Sequence, residues 1–156
     1  MKPLTVEWAA KAEADCAAAQ RQYRARKDPN YDAACFFAQQ SIEKYFKARL
    51  QEASIPFGKT HDLEALLNQL RAIEPTWLLL APLVKPISAY AVVFRYPGRS
   101  ATRAEAQDAI RQAKHIRELV RQSLGFPADR GRRRGPLARN RKNIKKHRGS
   151  RRGNHP

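Results

Sequence analysis

Between Cys35 and Leu50 the apolar positions return at helical spacing: Cys35, Ala38, Ile42 and Phe46 follow at steps of three, four and four, with Tyr45 and Leu50 flanking. Such a run is one face of a helix, and that face must be buried. Beside it Gln39, Gln40, Glu43, Lys44 and Lys47 form a polar edge that can face solvent or a ligand, with Glu43 and Lys47 one turn apart as an oppositely charged pair. An eight-residue connection follows, Ser54 to His61, and Asp62 is placed to cap a short third helix that turns Leu63, Leu66, Leu67 and Leu70 inward until Pro75.

The same reading organises the remainder of the chain into helices. The first runs from about Val6 to Arg26, alanine-rich and ended by Asp28-Pro29, a pair that favours a turn. Asn30 is a suitable cap for the second. The fourth starts near Thr76 or restarts at Pro82, with Pro86 as a kink point, and presents Leu83, Ile87, Tyr90 and Phe94 as its inner face. Pro97 and Gly98 stop it. Thr102-Arg103-Ala104-Glu105 has the form of a capping box, and the fifth helix then buries Ala109, Ala113, Ile116, Val120 and Leu124 before Gly125 and Pro127. No stretch alternates apolar and polar residues for long enough to read as a strand. The fold class predicted is all-α, an up-and-down bundle of about five helices.

Charge divides the chain. Of a formal +17, residues 126–156 carry 12 Lys or Arg against Asp129 alone, or +11, which leaves +6 for residues 1–125. Residues 130–152 contain no aromatic side chain and only Leu137 and Ile144 as large apolar ones, too little apolar surface to offset ordering entropy. The expectation is a helical domain at 1–125 and a disordered Lys/Arg-rich tail at 126–156. Cys16 and Cys35, if the first two helices form a hairpin, are displaced by about 9 Å along the axis, beyond the roughly 7 Å a disulfide spans. Two buried free thiols are expected, which fits a reducing compartment. The N-terminal residues lack the apolar core of a signal peptide, and the apolar stretch Trp77 to Phe94 is broken by Lys85 and two prolines, so no membrane span and a cytoplasmic location are expected. The four His and two Cys do not cluster at metal-ligand spacing, and no cofactor is expected.

The segment AQQSIEKYFKA followed by GKTHDL, together with FRYPG at Phe94 to Gly98, resembles the HEPN domain, a small helical domain. The residues that carry the resemblance are Gln39, Gln40, Glu43, Lys44, Lys47, His61, Asp62, Arg95, Tyr96 and Pro97, and it spans most of residues 5–124. Active HEPN ribonucleases carry Arg, four to six residues, then His near the start of the last core helix, and act as dimers. The resemblance therefore implies metal-independent RNA cleavage in which a His handles protons and an Arg offsets phosphate charge. Here the motif would start at Arg95, and positions 100 to 102 are Ser100, Ala101 and Thr102. Arg99 and Arg103 likewise have no His at that spacing. Arg141 to His147 and Arg148 to His155 match the bare pattern within the tail, where arginine density produces such matches by chance and a flexible chain cannot hold catalytic geometry.

What remains is the branch of the family associated with nucleotide or RNA binding, in which the protein works as a homodimer beside a minimal nucleotidyltransferase-type partner. The alternative is a divergent RNA endonuclease of toxin type, one half of a toxin–antitoxin pair, with Arg95 still on the phosphate. Candidate nucleotide-binding residues are Arg95, for a phosphate, Tyr96, for a base, and Lys44, Lys47 and His61. The bland alternatives are that Arg95 pairs with a carboxylate such as Glu43 while Tyr96 closes the core, that the lysines are solvated, and that His61 packs its own loop. Arg111, Lys114, Arg117 and Arg121 form a basic stripe on the last helix which, with tail residues such as Arg132, Arg133 and Arg134, is the candidate nucleic-acid surface.

Overall fold

A computed structural model describes residues 1–129. Five α-helices follow in order: α1 (Pro3–Arg24), α2 (Tyr31–Glu52), α3 (Leu63–Leu70), α4 (Ala81–Ser88) and α5 (Arg103–Ser123). Three short 3₁₀ segments, Pro75–Leu80, Ala89–Ala91 and Val93–Arg95, flank α4. There is no strand among the described residues. The expectation of an all-α bundle holds.

The central element is α2, which packs on α1, α3 and α5. Its predicted inner residues, Cys35, Ala38, Ile42, Tyr45, Phe46 and Leu50, have no exposed surface. Each fully buried Leu or Phe of this kind stabilises the fold by roughly 1.5–3 kcal/mol. On α1 the inward positions Ala9, Ala12, Cys16 and Ala19 are small, which lets the two long helices approach closely enough for the buried Ser41 hydroxyl to donate to the Ala12 carbonyl at 2.9 Å. Cys16 and Cys35 are both free and buried, as expected.

The helix ends are set by the residues the sequence points to. Asn30 accepts from the Ala33 amide, and Asp62 from the Glu64 and Ala65 amides. Thr102 and Glu105 close the capping box at the start of α5. At its end Gly125, with φ of 74°, supplies the left-handed residue. Its amide donates to the Gln122 carbonyl and that of Phe126 to the Arg121 carbonyl at 2.9 Å, a Schellman turn that reverses the chain. Residues Phe126 to Asp129 therefore fold back on α5 rather than leaving the domain at 125. The expected disorder of the tail concerns residues 130–156, which lie outside the described residues.

The fourth helix departs from its predicted form. It is a succession of 3₁₀ and α turns that Pro75 opens, because proline at 82 and 86 removes backbone donors and prevents one continuous ladder. The change of pitch moves the inner face: Val84 is fully buried while Leu83, expected inside, is 36% exposed. Trp77, Ile87, Tyr90 and Phe94 do enter the core. Pro75–Arg95 is long and apolar enough to cross a membrane by length and composition, but here it is broken into turns packed against α2, α3 and α5.

Candidate functional site

The polar edge of α2 is not the open surface its sequence suggests. Gln39 is fully buried, and Glu43 and Lys47 are 3% and 6% exposed. The Glu43 carboxylate accepts from Lys47 Nζ at 2.7 Å, from Gln39 Nε2 at 3.1 Å and from Gln40 Nε2 at 3.4 Å. His61 Nδ1 lies 2.9 Å from Glu43 Oε2. Gln39 also donates to the His61 carbonyl at 3.1 Å, so His61 is fixed at both its backbone and its ring. Burial alone raises a carboxyl pKa, but the hydrogen bonds from Lys47, His61 and Gln39 outweigh it and leave that of Glu43 below its ordinary value. Trp8 and Phe57 cover the Lys47 ammonium at 5.7 and 6.0 Å from their ring centres. Lys47 is thus a buried, paired cation, and not the solvated residue of an open helix edge.

The other candidates separate. Lys44 faces α1, where it is bonded to Asp15. The Arg95 guanidinium lies over the Phe36 ring at 5.4 Å, one turn before Gln40 on α2. Arg95 therefore does not pair with Glu43. Tyr96 is 61% exposed and does not close the core. The structure brings His61 to Glu43 and Lys47, and sets Arg95 over Phe36, which precedes Glu43 on α2 by seven residues, about 10 Å along the helix axis. An oriented imidazole and an exposed guanidinium share this side of α2, with the ring nitrogen Nδ1 of His61 already committed to a carboxylate.

The predicted basic stripe on α5 is divided by its partners. Arg117 Nε bonds Glu13 at 2.8 Å, and Arg121 Nη1 bonds the same carboxylate at 3.0 Å. Asp129 comes back to meet Arg117 Nη1 at 2.5 Å. Arg111 is bridged to Asp108. Lys114 has no ion pair among the described residues. With Arg111, His115 and Glu118 it lines a cavity of about 450 Å³ between α5 and α1, where Gln20, Tyr23 and Arg24 stand across from them. Sequence reading missed Tyr23, Arg24 and His115, although their spacing along two helices is the same signal that revealed the stripe. Arg132, Arg133 and Arg134 lie outside the described residues.

No group of three or more His, Cys, Asp or Glu among the described residues can hold a metal ion. Position 95 thus offers a guanidinium at the end of an apolar run, and the segment Arg95 to Thr102 that leads into α5 contains no imidazole. No curated protein and no solved structure matches the chain. A family model does, the HEPN domain over residues 5–123, which takes in all of the helical bundle but the first two residues of α1, and the chain belongs to the HEPN domain family.

Proposed function

We propose that this protein binds RNA or a nucleotide without cleaving it by the family's Arg–His chemistry. The observation that carries the reading is Arg95. Its guanidinium is exposed, stacked on Phe36 and beside the exposed Tyr96, so one site holds a donor for a phosphate and a ring for a base. The proton-transferring half of the motif is missing from the turn before α5. As an extension of this reading, the active form is a homodimer that pairs two copies of Arg95, in the cytoplasm, next to a minimal nucleotidyltransferase-type protein. The 12 Lys and Arg of residues 130–156 add sequence-indifferent attraction for the phosphate backbone.

A second reading is favoured by one specific observation. His61 is held by a buried carboxylate at 2.9 Å, the arrangement by which an imidazole is fixed for general-base work, and this supports a divergent endonuclease of toxin type. Purified protein incubated with labelled RNA distinguishes the two. Retention of intact RNA that weakens in Arg95→Ala supports binding. Cleavage that disappears in His61→Ala and survives removal of residues 130–156 supports the nuclease and overturns the first reading.

A further inference from the structure

Three open volumes along α5 join into one groove. The cavity around Tyr23, Arg24 and His115, of about 450 Å³, shares Gln20, Lys114 and Glu118 with a second of about 350 Å³. The second shares Arg117, Glu118 and Asp129 with a third of about 410 Å³ that reaches Phe126. The α5 residues that line it, from Gln107 through Lys114 and Arg121, recur at steps of three and four and so form one face. From Gln107 to Gln122 that face extends about 22 Å at 1.5 Å per residue, the length of several nucleotides of extended strand. Aromatic rings stand at both ends, Tyr23 and Phe126.

Charge in the groove is graded. Arg24, Lys114 and His115 at one end form no ion pair among the described residues, with Arg111 tied only to its own neighbour Asp108, and Glu118 is the acidic residue that lines the same cavity. At the other end Arg117 and Arg121 stand one turn apart, 17% and 19% exposed; Glu13 holds Arg117 Nε and Arg121 Nη1 from α1, and the carboxylate of Asp129 lies 2.5 Å from Arg117 Nη1 and 3.8 Å from Arg121 Nη2 on the outer side. Asp129 itself is 59% exposed. It is held there by the Schellman turn at Gly125, which stacks Phe126 on Arg121 at 4.9 Å and brings the Pro127 carbonyl to Arg121 Nη2 at 3.4 Å. Asp129 is also the last acidic residue of the chain, immediately before 12 Lys and Arg.

We propose that the α1–α5 groove is a second binding site, for single-stranded RNA, and that Asp129 occupies the Arg117–Arg121 pair in place of a phosphate until RNA displaces it. The assignment of RNA as the ligand rests on the function proposed above; the groove, its residues and its self-occupancy do not depend on Arg95. Guanidinium N–H groups that face the two oxygens of a carboxylate can donate to two oxygens of a phosphate in its place. Tyr23, which carries the Arg103 guanidinium at 5.8 Å, and Phe126, which carries that of Arg121, are the rings against which bases would pack, and Lys114, Arg24 and Arg111 lie along the strand's course.

The test is fluorescence anisotropy of the full chain with a labelled 12-nucleotide oligouridylate at several salt concentrations. Asp129→Asn is expected to tighten binding about fivefold, because it removes the carboxylate in front of Arg117 Nη1 and Arg121 Nη2 while Glu13 keeps only Arg117 Nε and Arg121 Nη1. Asp28→Asn makes the same change of charge in the exposed α1–α2 turn, where Asn tolerates the positive φ of 49°, and is expected to change affinity less than twofold. The double substitution Arg24→Gln with Lys114→Gln is expected to weaken binding at least tenfold and to lower the salt slope by about 1.4. Equal gains from Asp129→Asn and Asp28→Asn overturn the self-occupancy, and an unchanged slope in the double variant overturns the groove. Binding that is lost in Arg95→Ala but intact in the double variant also overturns the groove while leaving the proposed function standing. Binding lost in the double variant and intact in Arg95→Ala has the reverse meaning. No RNA binding by the unaltered chain overturns both. Far-ultraviolet circular dichroism of each variant checks that the bundle is intact.

Discussion

His61 Nδ1 and Glu43 Oε2 meet at 2.9 Å across the connection between α2 and α3, and the carboxylate that His61 reaches also neutralises Lys47. One buried anion therefore ties the loop to the helix and offsets a buried cation. Removing the anion leaves the ammonium of Lys47 uncompensated among Trp8 and Phe57. Glu43→Gln is expected to destabilise the fold by about 3 kcal/mol, since an unpaired buried charge costs more than the pair contributes. Glu43→Gln with Lys47→Met removes both charges and is expected to recover most of the loss. Urea denaturation of the two variants checks this. A loss below about 1 kcal/mol in the single variant would show that the pair does not hold the loop.

The same carboxylate sets an acid limit. Despite its burial, the hydrogen bonds from Lys47, His61 and Gln39 keep the Glu43 pKa in the folded chain below 4.5. A depressed carboxyl pKa contributes stability that is fully present above the unfolded value and is lost as pH falls through the folded one. Stability should thus decline below about pH 4.5, and more shallowly in Glu43→Gln with Lys47→Met, which has no such group to protonate. Denaturation midpoints measured from pH 6 to pH 3 give the comparison. Parallel curves for the two proteins would remove Glu43 from the acid transition.

Most of the scaffold was legible because it depends on local rules. The inward face of α2, the caps at Asn30, Asp62 and Thr102 and the stop at Gly125 each rest on residues within one or two turns of one another. The fourth helix departs further from its expected form, since Pro82 and Pro86 shift its pitch and exchange Leu83 for Val84 inside. Site residues were harder for a different reason. Spacing shows that Glu43 and Lys47 are neighbours, yet only the approach of Trp8, Phe57 and His61 from other elements makes them buried. In the same way a stripe of arginines on α5 looks free until Glu13 on α1 and Asp129 beyond the turn take two of them. Partners distant in sequence decide whether a charge is available, and periodicity contains no record of them.

The two thiols should be inert in the folded chain. Burial, with Glu105 and Asp32 adding to it, pushes the Cys35 pKa up to about 12, and burial likewise raises that of Cys16. Only the thiolate attacks a disulfide reagent, and at neutral pH a thiol of this kind is almost wholly protonated. Reaction of Cys35 with 5,5′-dithiobis(2-nitrobenzoate) should be at least a hundredfold slower in buffer than in strong urea, as judged from the fraction ionised, and that of Cys16 slower as well. Rapid labelling of a folded sample at either position would mean that the α1–α2 packing opens readily.

Phe36 and Arg95 give the sharpest division between positioning and charge. The ring is half-buried on α2 and holds the guanidinium at 5.4 Å, so Phe36→Leu keeps the helix face apolar and leaves the positive charge in place while removing the surface on which it stacks. An exposed contact of this type contributes about 0.5–1 kcal/mol, and RNA affinity should fall about two- to fivefold if Arg95 is the phosphate ligand. The salt dependence should not change, because the number of neutralised phosphates is the same. Arg95→Ala, by contrast, should weaken binding further and lower the slope of log affinity against log salt by about 0.7, one contact on a single strand. Anisotropy titrations of both variants at several salt concentrations separate the cases. A reduced slope in Phe36→Leu would mean that the ring orders more of the binding surface than one guanidinium, and unchanged affinity in both would remove Arg95 from the RNA site.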